Sequence, residues 1–140
     1  MKTIILFLLM TSGTTFAQQW NNDLDEAFRQ AEQGSKNVLL FFSIPDNCEL
    51  CRRIDHDVFK SQEFLEYAQS NLVLAKMDFK SQPGKDKAEQ LLVVEKYNKD
   101  GFFPWVVLVN KTGKIVAKLP MYDDQTVRQY VAQIKSADKG

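Results

Sequence analysis

The stretch Val38-Leu39-Leu40-Phe41-Phe42-Ser43-Ile44-Pro45-Asp46-Asn47-Cys48-Glu49-Leu50-Cys51 decides how this chain is read. Its opening apolar run has the pattern of a buried strand. Its end holds the only two cysteines of the chain, spaced C-x-x-C. The residues that follow, Arg52 to Phe59, read as a helix. The pair therefore stands at a strand-to-helix junction, with Cys48 at a helix N-terminus. Unpaired N–H groups and the positive end of the helix dipole favour a thiolate there. A thiolate beside a second thiol is the working part of a disulfide-exchange site.

Upstream, Met1-Lys2 carries a positive charge, Ile4 to Met10 is apolar throughout, and a small-polar stretch leads to Thr15-Phe16-Ala17. This is the layout of a secretory signal peptide, with cleavage expected after Ala17 and a single domain over residues 18–140. The apolar run is short of the roughly 20 residues that span a bilayer. An uncleaved anchor is the alternative. No cysteine follows the run to suggest a lipid anchor. Export to the periplasm or exterior bears on the cysteines, because disulfide chemistry operates outside the reducing cytosol.

Zinc takes about four ligands, and this chain offers two cysteines and one histidine, His56. No metal site and no cofactor are expected. A purely structural disulfide across two residues closes too small a loop to stabilise much. Without Lys2, 17 basic residues face 18 acidic ones, and no basic stripe marks the chain. That balance argues against nucleic acid as a partner.

Asn22-Asp23 can cap a helix carrying Leu24, Ala27, Phe28 and Ala31, which Gly34 would end. A strand over Val38–Ser43 comes next, then the cysteine helix to about Phe59, then a short helix capped by Ser61. Leu72 to Phe79 reads as a second strand, Ser81-Gln82-Pro83-Gly84 as a turn, and Lys85 to Lys99 as a helix stopped by Gly101. Trp105–Val109 and Ile115–Leu119 read as strands joined by a hairpin turn in which Gly113 supplies positive φ. Asp123-Asp124 would cap a last helix with Val127, Tyr130, Val131 and Ile134. The order predicts an α/β fold, one mixed sheet of about four strands with helices on both faces. Its first half is a right-handed parallel βαβ unit.

From roughly Trp20 to Ser136 the pattern resembles the thioredoxin fold, and more narrowly the secreted thioredoxin-like disulfide reductases of the DsbH-like type. The resemblance rests on Lys36 to Phe42, Cys48 to Cys51, Val58-Phe59, Lys76-Met77-Asp78, and Gly101-Phe102-Phe103-Pro104. An N-terminal helix of the kind Trp20, Leu24, Ala27, Ala31 belongs to it. It implies a cis bond before Pro104, a loop lying against the cysteines, and a Phe103 backbone that holds an extended substrate. It also implies Cys48 as attacking thiolate, Cys51 as the buried resolving thiol, disulfide-bearing exported proteins as substrates, and a membrane or periplasmic electron donor. A monomer is expected.

The chain departs from that family at three places. Asn47 replaces the usual Trp before the first cysteine. Phe41 and Phe42 occupy the region where many members bury a carboxylate. Lys76 matches the family's lysine below the site, with its partner gone. Glu49 beside Cys48 disfavours a thiolate and Arg52 opposes it, a balance that points to a reducing protein. Other readings stay open: a non-catalytic peptide-binding module, or a handler of thiophilic metal. His56 reads as a solvated helix position, Trp20 and Trp105 as packing residues, and Phe28, Phe41, Phe42, Phe59 and Phe79 as core.

Overall fold

The structure, a computed structural model, describes residues 19–79 and 87–140. The expected signal peptide and the turn at residues 81–84 lie outside the described residues, as do the side chains of Lys85 to Lys87. The elements are β1 (Trp20–Asn21), α1 (Leu24–Gly34), β2 (Asn37–Ser43), α2 (Glu49–Asp57), α3 (Gln62–Asn71), β3 (Leu72–Asp78), α4 (Lys87–Tyr97), β4 (Trp105–Val109), β5 (Ile115–Lys118) and α5 (Val127–Lys139).

One mixed sheet has the order β1-β3-β2-β4-β5. β1 and β2 pair with β3 in parallel, whereas β4 is antiparallel to both β2 and β5. The alternation of side chains along the strands splits the core in two. Leu39 and Phe41 of β2 and Leu72 and Leu74 of β3 face Ile54, Phe59, Phe64 and Tyr130, from the α2, α3 and α5 side. Val38, Leu40 and Phe42 face Ala27, Ala31 and Tyr97 of α1 and α4. Phe59 is a hub, its ring centroid 4.9 Å from Phe41, 5.0 Å from Phe64 and 5.1 Å from Trp20.

The sheet has five strands rather than about four. Trp20 belongs not to an N-terminal helix but to β1, paired with Leu74 of β3. The Asn21 amide holds that edge by donating to the Leu74 carbonyl at 3.0 Å and pairing with the Gln30 side chain. α1 starts where expected, with Asp23 accepting from the N–H groups of Asp25 and Glu26. It ends one residue later than Gly34 suggested. Ser35 takes the left-handed turn (φ 49), and the Lys36 N–H closes back on the Ala31 carbonyl at 2.9 Å.

α4 stops at Tyr97, and its Leu91 and Leu92 are exposed. Gly113 takes φ 82 in the β4–β5 turn, and its carbonyl accepts from the Tyr97 hydroxyl. The last helix is capped by Thr126, not by Asp123-Asp124. The Thr126 hydroxyl accepts from the Gln129 N–H, and the Gln129 side chain accepts from the Thr126 N–H. Such a reciprocal pair satisfies two orphan donors at once, which a lone carboxylate two or three residues upstream does not.

Candidate active site

β2 ends at Ser43, and residues 44–47 carry the chain to Cys48. Asn47 adopts φ 57, the left-handed region. Asn tolerates that conformation far better than a bulky side chain does. The absence of Trp at this position thus has a backbone reason.

Cys48 is the N-cap of α2, with extended backbone (φ −114, ψ 93), and its sulfur accepts the Cys51 N–H at 3.2 Å. A second bond runs from the Arg52 N–H to the Cys48 carbonyl at 3.1 Å. The two cysteines form a disulfide, with S–S 2.05 Å and Cα–Cα 5.2 Å. They differ in access: Cys48 is half-buried, while Cys51 is 2 % exposed. The helix sets that contrast. Cys51 lies on the same face as Ile54 and Val58, three and seven residues on, which are core residues.

Two charges expected to act on Cys48 separately act on each other. Arg52 donates to Glu49 in an ion pair, with both side chains 73 % exposed. Paired and solvated, they impose little net field on the sulfur. His56 is 81 % exposed and lies against Asp57, Nδ1 to Oδ1 3.0 Å, the solvated position expected of it.

Lys76 has not lost its partner. Its Nζ lies 3.6 Å from Asp55 Oδ1 on α2, 3.9 Å from Asp78 Oδ1, and 5.6 Å from the Phe41 ring centroid. Phe41 and Lys76 are register partners on neighbouring strands, so an apolar ring fills the strand position beside the lysine. The carboxylate comes instead from the helix, at Asp55, four residues after Cys51 and therefore on its face. Sequence reasoning missed Asp55. That four-residue spacing was the available signal, and only the packing of α2 on β3 joins it to Lys76.

The second missed residue is Asn98, just beyond α4. Its side-chain Oδ1 accepts the Phe102 N–H at 3.0 Å, and its Nδ2 donates to the Phe102 carbonyl at 2.8 Å. Phe102 is 49 % exposed, and its ring lies 5.6 Å from Trp105. Gly101 takes φ 68 in the turn between Asn98 and Phe102, and the bond between Phe103 and Pro104 is cis. The Phe103 ring packs on Phe79 at 5.4 Å. Because Phe42 pairs with Trp105 and Ser43 with Asp78, the segment before Cys48 and the loop before Trp105 leave the same end of the sheet.

Among the described residues, no group of three or more His, Cys, Asp or Glu could hold a metal ion. Nor is any described helix long and apolar enough to cross a membrane.

The chain belongs to the thioredoxin-like family, whose domain model matches residues 24–135. Among curated proteins it is similar to the disulfide bond reductase DsbH of Chlamydia pneumoniae, 28 % identical over 124 residues, which cover 86 % of this chain and 73 % of that one. The solved DsbH oxidoreductase superposes with a TM-score of 0.78 at 25 % identity, over 98 % of this chain and 95 % of that one. The oxidised C-terminal domain of Neisseria meningitidis DsbD shares the fold, with a TM-score of 0.63 at 18 % identity over 85 % and 99 % of the two chains. The Cys48–Cys51 pair in this fold and these likenesses mark a thiol–disulfide oxidoreductase of the DsbH-like kind.

Proposed function

We propose that the protein reduces disulfides of exported proteins in the periplasm or outside the cell. The observation that carries this reading is the Cys51 N–H directed at the half-buried sulfur of Cys48, with Cys51 itself enclosed. A helix N-terminal N–H that meets a sulfur stabilises it as a thiolate, and the thiolate is the attacking form.

In the reduced protein, Cys48 thiolate attacks one sulfur of the substrate disulfide. A Cys48–substrate disulfide forms, and the other substrate sulfur leaves as a thiolate that takes up a proton. Cys51, having given up its proton, then attacks the Cys48 sulfur. The second substrate sulfur leaves, and Cys48–Cys51 is oxidised. Two electrons pass from the pair to the substrate, so a membrane or periplasmic donor of two electrons must restore the dithiol. Phe103 and Pro104 present backbone to an extended substrate at the same end of the sheet. Lys76, held by Asp55, modulates the surroundings of the buried thiol. Glu49 and Arg52, paired with each other, leave the outer one nearly unbiased, and either would modulate it only if its partner were removed. The reductase direction rests on the similarity to a disulfide bond reductase and on the neutralised charge beside Cys48.

Insulin reduction tests the assignment. Cys48→Ser is expected to abolish activity, and Cys51→Ser to accumulate a mixed disulfide with substrate. Full activity in the Cys48→Ser protein would refute the assignment.

A further inference from the structure

Asn98 is 2 % exposed, and each of its four polar atoms is engaged. Its N–H donates to the Val94 carbonyl at 2.7 Å, and its carbonyl accepts the Gly101 N–H at 2.9 Å. Its side chain takes the N–H and the carbonyl of Phe102 at 3.0 and 2.8 Å. The residue thereby joins the end of α4 to the loop before β4. The next residue differs: no hydrogen bond joins the Phe103 N–H or carbonyl to another described residue. Phe103 is nonetheless held, its ring against Phe79.

We propose that Asn98 is a positioning residue for substrate: it occupies both backbone polar groups of Phe102, so that of the two neighbouring phenylalanines only Phe103 offers its N–H and carbonyl to an extended disulfide-bearing segment. The inference rests on the reading that this loop binds substrate. The loop before β4 is not a strand, so a neighbouring residue with a free N–H and carbonyl would offer a second pairing position one residue away. Occupying them removes the competing register. The chemistry calls for Asn. A primary amide both donates and accepts. Asp cannot donate, and Gln adds a methylene where burial leaves little space.

The test compares reduced wild-type protein with Asn98→Ala and Asn98→Asp on two probes: insulin, whose disulfides are flanked by peptide backbone, and the aryl disulfide 5,5′-dithiobis(2-nitrobenzoate), which has no peptide backbone. The readout is the ratio of the two second-order rate constants. In Asn98→Ala that ratio is expected to fall about tenfold or more, the scale of a misplaced binding group. Asn98→Asp keeps the acceptor for the Phe102 N–H, and its ratio is expected to fall about threefold, equivalent to roughly half a hydrogen bond. Parallel losses on both probes, or no loss on either, would overturn the inference. If Asn98→Ala does not fold, the ratio in Asn98→Asp decides alone. Wild-type protein that reduced the aryl disulfide but not insulin would overturn the functional reading and this one with it. Active wild type with unchanged ratios in the variants sinks the Asn98 inference only.

Discussion

At the scale of single residues, three side chains around the cysteines owe their identity to backbone or charge geometry. Asn47 holds φ 57 immediately before the N-cap. A Trp there would cost about 1–2 kcal/mol, the penalty of the left-handed region for a residue with a bulky Cβ substituent. Asn47→Trp is expected to lower stability by that amount in urea titrations, whereas Asn47→Gly should leave it nearly unchanged. Equal stability of the two variants would contradict the backbone argument. Glu49 works through Arg52. Removing its charge frees the guanidinium to act on a Cys48 thiolate four residues back. The reduced form then gains, and Glu49→Gln is expected to raise the reduction potential of the pair. Both groups are exposed, so the gain is about 0.5 kcal/mol or less, roughly 10 mV for a two-electron couple. Equilibration with glutathione measures it, and a lower potential would refute the sign. Cys48 and Cys51 were legible from their spacing and the strand before them. Asp55 was not, because nothing in a linear string joins it to Lys76.

Among the elements, those with a long apolar period matched their sequence signals, and so did the Asp23 and Ser61 caps and both ends of β4, whereas the end of α1 and the start of α5 did not. β2, β3 and β4 carry runs whose alternate residues fill the two cores, so their positions follow from pattern alone. Helix ends depend on which of several polar residues closes the cap. α5 illustrates this: Asp123 and Asp124 look like caps, yet Thr126 with Gln129 makes the reciprocal one. Thr126→Ala is expected to cost about 1 kcal/mol by thermal or urea unfolding. Asp124→Ala should cost no more than a few tenths of that, as is usual for exposed positions away from a cap. The reverse ranking would return the cap to the aspartates. β1 escaped notice for a related reason. Two residues cannot display an alternation, and Trp20 and Asn21 become a strand only by pairing with β3.

Over the whole molecule, the sheet gathers separate loops at one end, and α5 seals the far core. Tyr130 lies in that core, with its hydroxyl donating to the Pro120 carbonyl at 3.1 Å. Burial pushes its phenol well above the ordinary value of 10. A raised folded pKa means that this contribution is complete below the unfolded value and is lost as pH rises above it. Stability is therefore expected to fall on going from about pH 8 to about pH 11, and by less in Tyr130→Phe, which has no phenol to ionise. Equal losses in both proteins would remove Tyr130 from the alkaline limb. Tyr67 is pushed the same way, by burial first and then by its bond to Asp138, so part of the limb persists in the variant. By itself the sequence determined the layered α/β order, the hairpin at Gly113, and the placing of a C-x-x-C at a helix start. Each is encoded by periodicity or turn chemistry within a few neighbouring residues. Only the tertiary structure decided the fifth strand, the partner of Lys76 and the clasp of Asn98 on Phe102. Those depend on how a helix end and a strand edge pack, and hydrogen-bond geometry across such contacts leaves no local trace.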